Sequence, residues 1–222
     1  MLQKAKWLVD KLGLKAYKSW SKELPKNTIK FSFCEQNADL ASVLAEVFAK
    51  VDEVEVLQGN ILKLSADALV SPANSFGDMS GGLDQAIDDY YKGEAQSKAS
   101  SLIRSTYYGE LAVGQAAILE MNQARFPKLI LAPTMRVPGK VAKSINAYLA
   151  MRALLIAVLD YNKQAQTPIQ HIAMTSLCTG IGRMPFVEAA EQMLVAYDMI
   201  IKESWKKIVH PSIAPYSMKT QD

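Results

Sequence analysis

The chain has 222 residues, half of them apolar and 21% charged, which suits a globular domain with a sizeable core and excludes a disordered chain. Its longest apolar stretch, around residues 153–159, is too short to cross a bilayer, so no membrane span is expected. Two cysteines, Cys34 and Cys178, and no early hydrophobic signal segment point to a reducing, cytoplasmic setting.

The net charge of +3 is small but uneven. Residues 1–30 hold eight lysines against Asp10 and Glu23, a balance of +6, and the remainder holds 17 basic and 20 acidic residues, a balance of −3. Residues 4–18 have helical spacing, so residues 1–28 read as a basic helical extension packed through Trp7, Leu8, Leu12 and Leu14, its lysines solvated. A polyanion is an alternative partner for this segment, but a nucleic-acid role is the weaker reading.

A main domain is expected over residues 29–206. Residues 29–34 alternate and read as a strand, and Asn37 caps a helix over 38–51. Residues 53–57 form the next strand, ending at Gly59-Asn60-Ile61. A short apolar run ends at Ser71-Pro72, followed by Asn74, three glycines and a helix from Leu83 to about Tyr91. Further helices are expected from Gly93 to Arg104, over 141–161 with Ile145, Leu149, Leu154, Ile156 and Leu159 inward, and from Pro185 to about Lys206. Strands are expected over 114–120, 128–132 and 169–174. Residues 207–222 read as a loosely held tail. Strands alternating with helices argue for an α/β fold, a sheet sandwiched between helices.

Two segments carry the chemistry. In the first, a strand leaves through Asn74 into Gly77, Gly81 and Gly82 and then a helix with Asp84 in its first turn. In the second, Ser176-Leu-Cys-Thr-Gly-Ile-Gly182 follows a strand and precedes a helix. Backbone N–H groups reached through glycine at a helix start form an anion site, so two such turns point to a phosphate-bearing ligand. For any one glycine alone, a cap or tight turn is the better account; two loops, each after a strand and before a helix, favour a ligand.

With these residues in place, the chain resembles the macrodomain family, which binds ADP-ribose, over about residues 54–201. Four separated matches carry the resemblance: Val56-Leu-Gln-Gly59-Asn60-Ile61, Asp67-Ala-Leu-Val-Ser-Pro-Ala-Asn74, Gly81-Gly82-Leu83-Asp84-Gln-Ala-Ile87, and Cys178-Thr179-Gly180-Ile181-Gly182-Arg183-Met184-Pro185. The resemblance implies a mixed twisted sheet in a three-layer α/β/α arrangement, with the ligand at the strands' C-terminal ends. It places the strand and helix of residues 29–51 as an extra unit at the sheet edge.

By the same resemblance, Gly81, Gly82, Leu83, Thr179, Gly180, Ile181 and Gly182 clasp a diphosphate, with Arg183 reaching a phosphate or an acidic side chain of a target. Asn60 and Ile61 meet the adenine. Asn60 stands where the family usually has Asp, so its carbonyl accepts without charge assistance. Asn74 contacts the distal ribose and, with Asp84 ten residues on, forms the catalytic pair of a hydrolase. The plain alternatives are a turn-closing Asn and an Asp that stabilises a helix start by ~0.3–1 kcal/mol. Where family hydrolases carry a loop aromatic, this chain has Gly182 and Arg183, with Phe186 as a substitute one turn later. Asp67 reads as structural, His171 as a satisfied core residue, and Cys178 as no nucleophile for want of a neighbouring base. Met135, Met151, Met174, Met193 and Met199 read as core filler.

The implied function is binding of ADP-ribose or of a mono-ADP-ribosylated protein, with hydrolysis of the distal-ribose linkage, as in O-acetyl-ADP-ribose. A non-catalytic reader module and an ADP-ribose 1″-phosphate phosphatase are the alternatives. No metal-ligand spacing occurs, and no cofactor is implied beyond the nucleotide as ligand or substrate.

Overall fold

The computed structural model describes residues 11–20 and 28–214. Its seven strands are β1 (Lys15–Lys18), β2 (Lys30–Glu35), β3 (Val54–Gln58), β4 (Ala68–Ser71), β5 (Ala117–Glu120), β6 (Lys128–Leu131) and β7 (His171–Met174). The helices are α1 (Ala38–Val47), α2 (Gly82–Tyr90), α3 (Glu94–Thr106), α4 (Asn146–Gln164) and α5 (Phe186–Ile200). The strands form one mixed sheet in the order β1-β3-β2-β7-β4-β6-β5, with the two edge strands antiparallel to their neighbours and the inner five parallel.

Parallel inner strands must be covered on both faces, and two apolar clusters do this. On one face Phe31, Phe33, Val56, Val70, Ile172 and Met174 pack against α1, α4 and α5. On the other, Cys34, Leu57, Leu69, Leu129, Leu131 and Ala173 pack against α2 and α3. This is the three-layer α/β/α arrangement expected. The five methionines expected as filler are all buried. No helix among the described residues is long and apolar enough to cross a membrane.

The largest departure concerns β2. It is no edge strand: it lies inside the sheet, pairing in parallel with β3 on one side and β7 on the other. Five of its six residues are buried, because its polar positions find partners within the sheet. Ser32 Oγ lies 2.6 Å from Glu55 Oε1 and 2.7 Å from His171 Nε2, and Glu35 bonds the backbone of Ser176. His171 is thus the satisfied residue expected, and burial holds its pKa down at about 4.

The helical reading of residues 4–18 fails at its end. Gly13 adopts φ +67°, which stops a helix, and β1 then pairs antiparallel with β3. Lys18 Nζ donates to the carbonyls of Val51 and Val54 at 2.6 and 2.5 Å, so this lysine is an anchor and not a solvated charge. Leu14 is buried with the second cluster and Leu12 packs against it. Trp7 and Leu8 lie outside the described residues.

Other boundaries move modestly. Asn37 does cap α1, accepting from Leu40 N at 3.0 Å, but that helix stops at Val47. In α4 the buried stripe is Ala147, Ala150, Met151, Leu154, Leu155 and Val158, so Leu154 is placed correctly while Leu149, Ile156 and Leu159 are only half-buried. Helix α5 follows Pro185 as expected and ends at Ile200, with a separate 3₁₀ turn at Ser204–Lys207. Within the expected tail, Pro211–Ile213 forms a 3₁₀ turn, and residues 215–222 lie outside the described residues.

Candidate functional site

The C-terminal ends of β3, β2, β7, β4 and β6 open together onto one slot of about 760 Å³. Its lining includes Asn60, Ile61, Asn74, Gly81, Gly82, Leu83, Asp84, Thr179, Gly180, Ile181 and Gly182. The two glycine turns therefore face a common space. Phe186 also lines it, at the place the sequence offered for a substitute aromatic. Arg183 is the exception. It sits exposed at φ +50° and is not part of the lining, because the turn closed by Arg183 N donating to Gly180 O at 3.1 Å carries it away from the slot.

Each turn is built to leave donors unpaired. In the second, Cys178 takes a left-handed φ of +67° and its carbonyl accepts from Met184 N at 3.0 Å, folding the intervening residues into an arch. Such a conformation at a non-glycine residue costs on the order of 1–3 kcal/mol. The arch leaves the N–H groups of Thr179, Gly180, Ile181 and Gly182 without a hydrogen-bond acceptor among the described residues. Gly182 is fixed by packing. A Cβ there would lie 2.8 Å from Val141 Cγ2 and closer still to the Cys178 carbonyl. At Gly81 and Gly180 a Cβ would project into open space, where a ligand would approach.

The first turn is held from within and from below. Asn74, 8% exposed, accepts on Oδ1 from Phe76 N at 3.0 Å and Asp78 N at 3.3 Å, and its Nδ2 donates to Asp78 O at 2.8 Å. The turn-closing alternative is therefore real: one Nδ2 hydrogen is left for the slot. Gln96, on α3, accepts from Met79 N at 2.7 Å and donates to Gly77 O at 2.8 Å. Sequence reading missed Gln96, since an amide within a polar helix stretch gives no sign that it supports a loop.

Asp84 stands in the first turn of α2, half-buried, facing the same slot. Ser71 Oγ, fully buried at the end of β4, donates to Asp84 Oδ1 at 2.6 Å. Burial pushes the Asp84 carboxyl up to about 6, the Ser71 hydroxyl working against this and the Asp78 charge with it. The carboxylate is thus held in one orientation and titrates near neutrality. Ser71 alternates with Leu69, which packs on the α2 side of the sheet, and that period of two is the sequence signal that its hydroxyl faces α2.

Among the other expected residues, Asn60 lines the slot but uses Oδ1 to accept from Leu62 N at 2.9 Å, capping a 3₁₀ turn. Asp67 is structural, its Oδ2 accepting from the N–H groups of Gln170 and His171 at 2.8 and 2.9 Å. Cys178 is buried with its thiol pushed up to about 12 by burial alone, which suits no nucleophile. Two further carboxylates line the slot, Asp78 of the first turn and Glu35, and sequence reading missed Glu35. It lies at the end of β2, 7% exposed, and Oε1 accepts from Ser176 N.

A family model, the Macro domain, matches residues 70–193, a span that contains both turns, Asp84 and most of α5. An uncharacterized protein of Aeropyrum pernix is 28% identical over 158 residues, 69% of this chain and 75% of its own length. Among solved structures, an Oceanobacillus iheyensis macrodomain with ADP superposes with a TM-score of 0.56 at 22% identity, covering 67% of this chain and 76% of the other. A Trypanosoma brucei macrodomain in complex with ADP-ribose gives 0.52 at 17%, covering 65% and 56%. These likenesses are likenesses of fold.

Proposed function

Because the chain belongs to the macrodomain family, matched over residues 70–193, we propose that its slot binds ADP-ribose or an ADP-ribosyl group and that Asp84 directs hydrolysis at the distal ribose. The observation that carries the reading is the pair of glycine turns whose unpaired N–H groups border one space, with an oriented carboxylate beside them. Amides already fixed in place need no rearrangement to receive a diphosphate, and they do so without a cationic side chain. The ADP-bound and ADP-ribose-bound relatives support the same ligand class.

In the proposed reaction Gly81, Gly82, Leu83 and the arch from Thr179 to Gly182 hold the two phosphates. The remaining Asn74 amide hydrogen meets a distal-ribose hydroxyl. Ionised Asp84 takes a proton from a water as that water's oxygen bonds to the anomeric carbon. The bond from that carbon to the acceptor oxygen breaks, and the acceptor leaves with the bonding pair and is protonated from solvent. A carboxyl that titrates near 6 is ionised at neutral pH yet basic enough to accept that proton.

The test compares wild type with Asp84→Ala on a protein mono-ADP-ribosylated at a carboxylate and on O-acetyl-ADP-ribose carrying its acetyl group on the anomeric (1″) oxygen. The expected result is loss of turnover by ~10²-fold or more with ADP-ribose binding retained. Equal rates would remove Asp84 from the mechanism. A reader without catalysis is the second reading, favoured by the commitment of the Asn74 carbonyl to its own loop; calorimetric binding with no turnover on either substrate would select it. Release of inorganic phosphate from ADP-ribose 1″-phosphate would point instead to the phosphatase.

A further inference from the structure

Besides Asp84 and the loop residue Asp78, the slot holds a carboxylate that the proposed reaction does not use. Glu35 reaches it because β2 is an interior strand, its end lying between Gln58-Gly59-Asn60 on one side and Ser176 on the other. Gly59 N donates to the Glu35 carbonyl at 2.8 Å, which ties the two strand ends together. The Glu35 side chain is more than nine-tenths buried. Its Oε1 accepts from Ser176 N, the Ser176 side chain adds a second hydrogen bond to the carboxylate while burial pushes its pKa up, and the carboxylate keeps acceptor capacity for the slot.

Strand ends in a sheet are spaced by about 4.8 Å. Asn74, after β4, is therefore two strand positions, or roughly 10 Å, from Glu35. If the reading as an ADP-ribose site holds, the diphosphate lies over the turns that follow β4 and β7, and the distal ribose lies by Asp84. The nucleoside then extends over the ends of β2 and β3. Asn60, the acceptor expected there, has its carbonyl oxygen engaged by Leu62 N. Glu35 is the carboxylate acceptor in the slot lining at this end, beside the neutral amide of Gln36.

We propose that Glu35 is the base-selecting residue of the slot, its Oε2 accepting a hydrogen bond from the exocyclic amine of adenine. This rests on the ADP-ribose reading and adds to it a named determinant on an unexpected strand. An acceptor at this point favours a base that presents N–H and disfavours one that presents a carbonyl oxygen, since the latter would set oxygen against oxygen. The substitution Glu35→Gln inverts this. Ser176 N–H still requires an acceptor, so the amide oxygen occupies the Oε1 position and the NH₂ group turns to the slot.

The experiment is calorimetric titration of wild type, Glu35→Gln and Asn60→Ala with ADP-ribose and with inosine diphosphate ribose, in which a carbonyl replaces the amine. Wild type is expected to prefer ADP-ribose by about tenfold or more, Glu35→Gln to lose or reverse that preference, and Asn60→Ala to keep it. The inference is overturned if wild type binds both ligands alike, if Glu35→Gln weakens both equally, or if Asn60→Ala is the variant that abolishes the preference. Should wild type bind neither ligand, the ADP-ribose reading itself falls and the inference with it. Melting curves check that Glu35→Gln folds; if it does not, the wild-type preference and its survival in Asn60→Ala decide the matter.

Discussion

Asp84 couples stability to pH. Its carboxyl titrates at about 6 in the folded chain against 3.8 for a free side chain, so the folded state binds the proton more tightly. Between pH ~4 and ~6 the native state carries more protons than the unfolded one, and stability falls as pH rises through that window. At neutral pH the ionised group costs on the order of 1–3 kcal/mol. Asp84→Asn, which keeps an acceptor for Ser71, is expected to raise the melting temperature at pH 7.5 by several degrees, with the gain shrinking as pH falls through ~6 and vanishing below about pH 4. A melting series across pH checks this, and an unchanged difference at every pH would count against a buried, titrating Asp84. Under the proposed mechanism the hydrolysis rate should instead rise through pH ~6 to a plateau, the ionised form being the base there. Ser71→Ala removes the hydroxyl that favours ionisation. Its acidic limb should move to higher pH, and a pH–rate profile with an unmoved limb would show that Ser71 does not act on Asp84.

At the scale of elements, the two turns differ in what fixes them. The first is laced by Asn74 and Gln96 side chains, whereas the second depends on backbone geometry, with a left-handed Cys178 and a glycine pressed against its carbonyl. Gly182→Ala is therefore expected to distort the arch, with lower thermal stability and loss of ADP-ribose binding by calorimetry. Adding Val141→Ala should rescue little, because the tighter clash is with main chain that cannot turn aside. Full recovery in the double variant would place the constraint on Val141 instead.

The turns were legible in the sequence because glycine and strand-to-helix succession are local signals. Strand β2 was not. Its Ser32 and Glu35, on opposite faces, look like the solvated positions of an edge strand, and the partners that make them interior, His171 and Ser176, lie about 140 residues away. Neighbour order in a sheet is fixed by such distant pairings. For the same reason Glu35 escaped notice as a slot residue, while Arg183 was credited because it adjoins the glycines in sequence. Adjacency along the chain said nothing of the reversal at Gly180–Arg183 that turns it outward.

For the molecule as a whole, the slot draws on strands from both ends of the described chain. The Macro-domain match begins at residue 70, inside β4, and so omits β1, β2 and β3, two of which stand within the sheet. The matched span therefore leaves out strands that the sheet encloses. A recombinant fragment cut at that point would bare the flank of β7 and strip α1 from the cluster around Met174 and Met193. Bare inner strands are templates for polymerisation. Such a fragment is expected to precipitate or to elute as large aggregates in size-exclusion chromatography, while the full chain elutes as a discrete species; a monodisperse fragment would show that the leading strands are dispensable. Anyone planning to graft this module onto another polypeptide should accordingly attach it upstream of Leu14, so that the β1 ribbon still seals the margin beside β3.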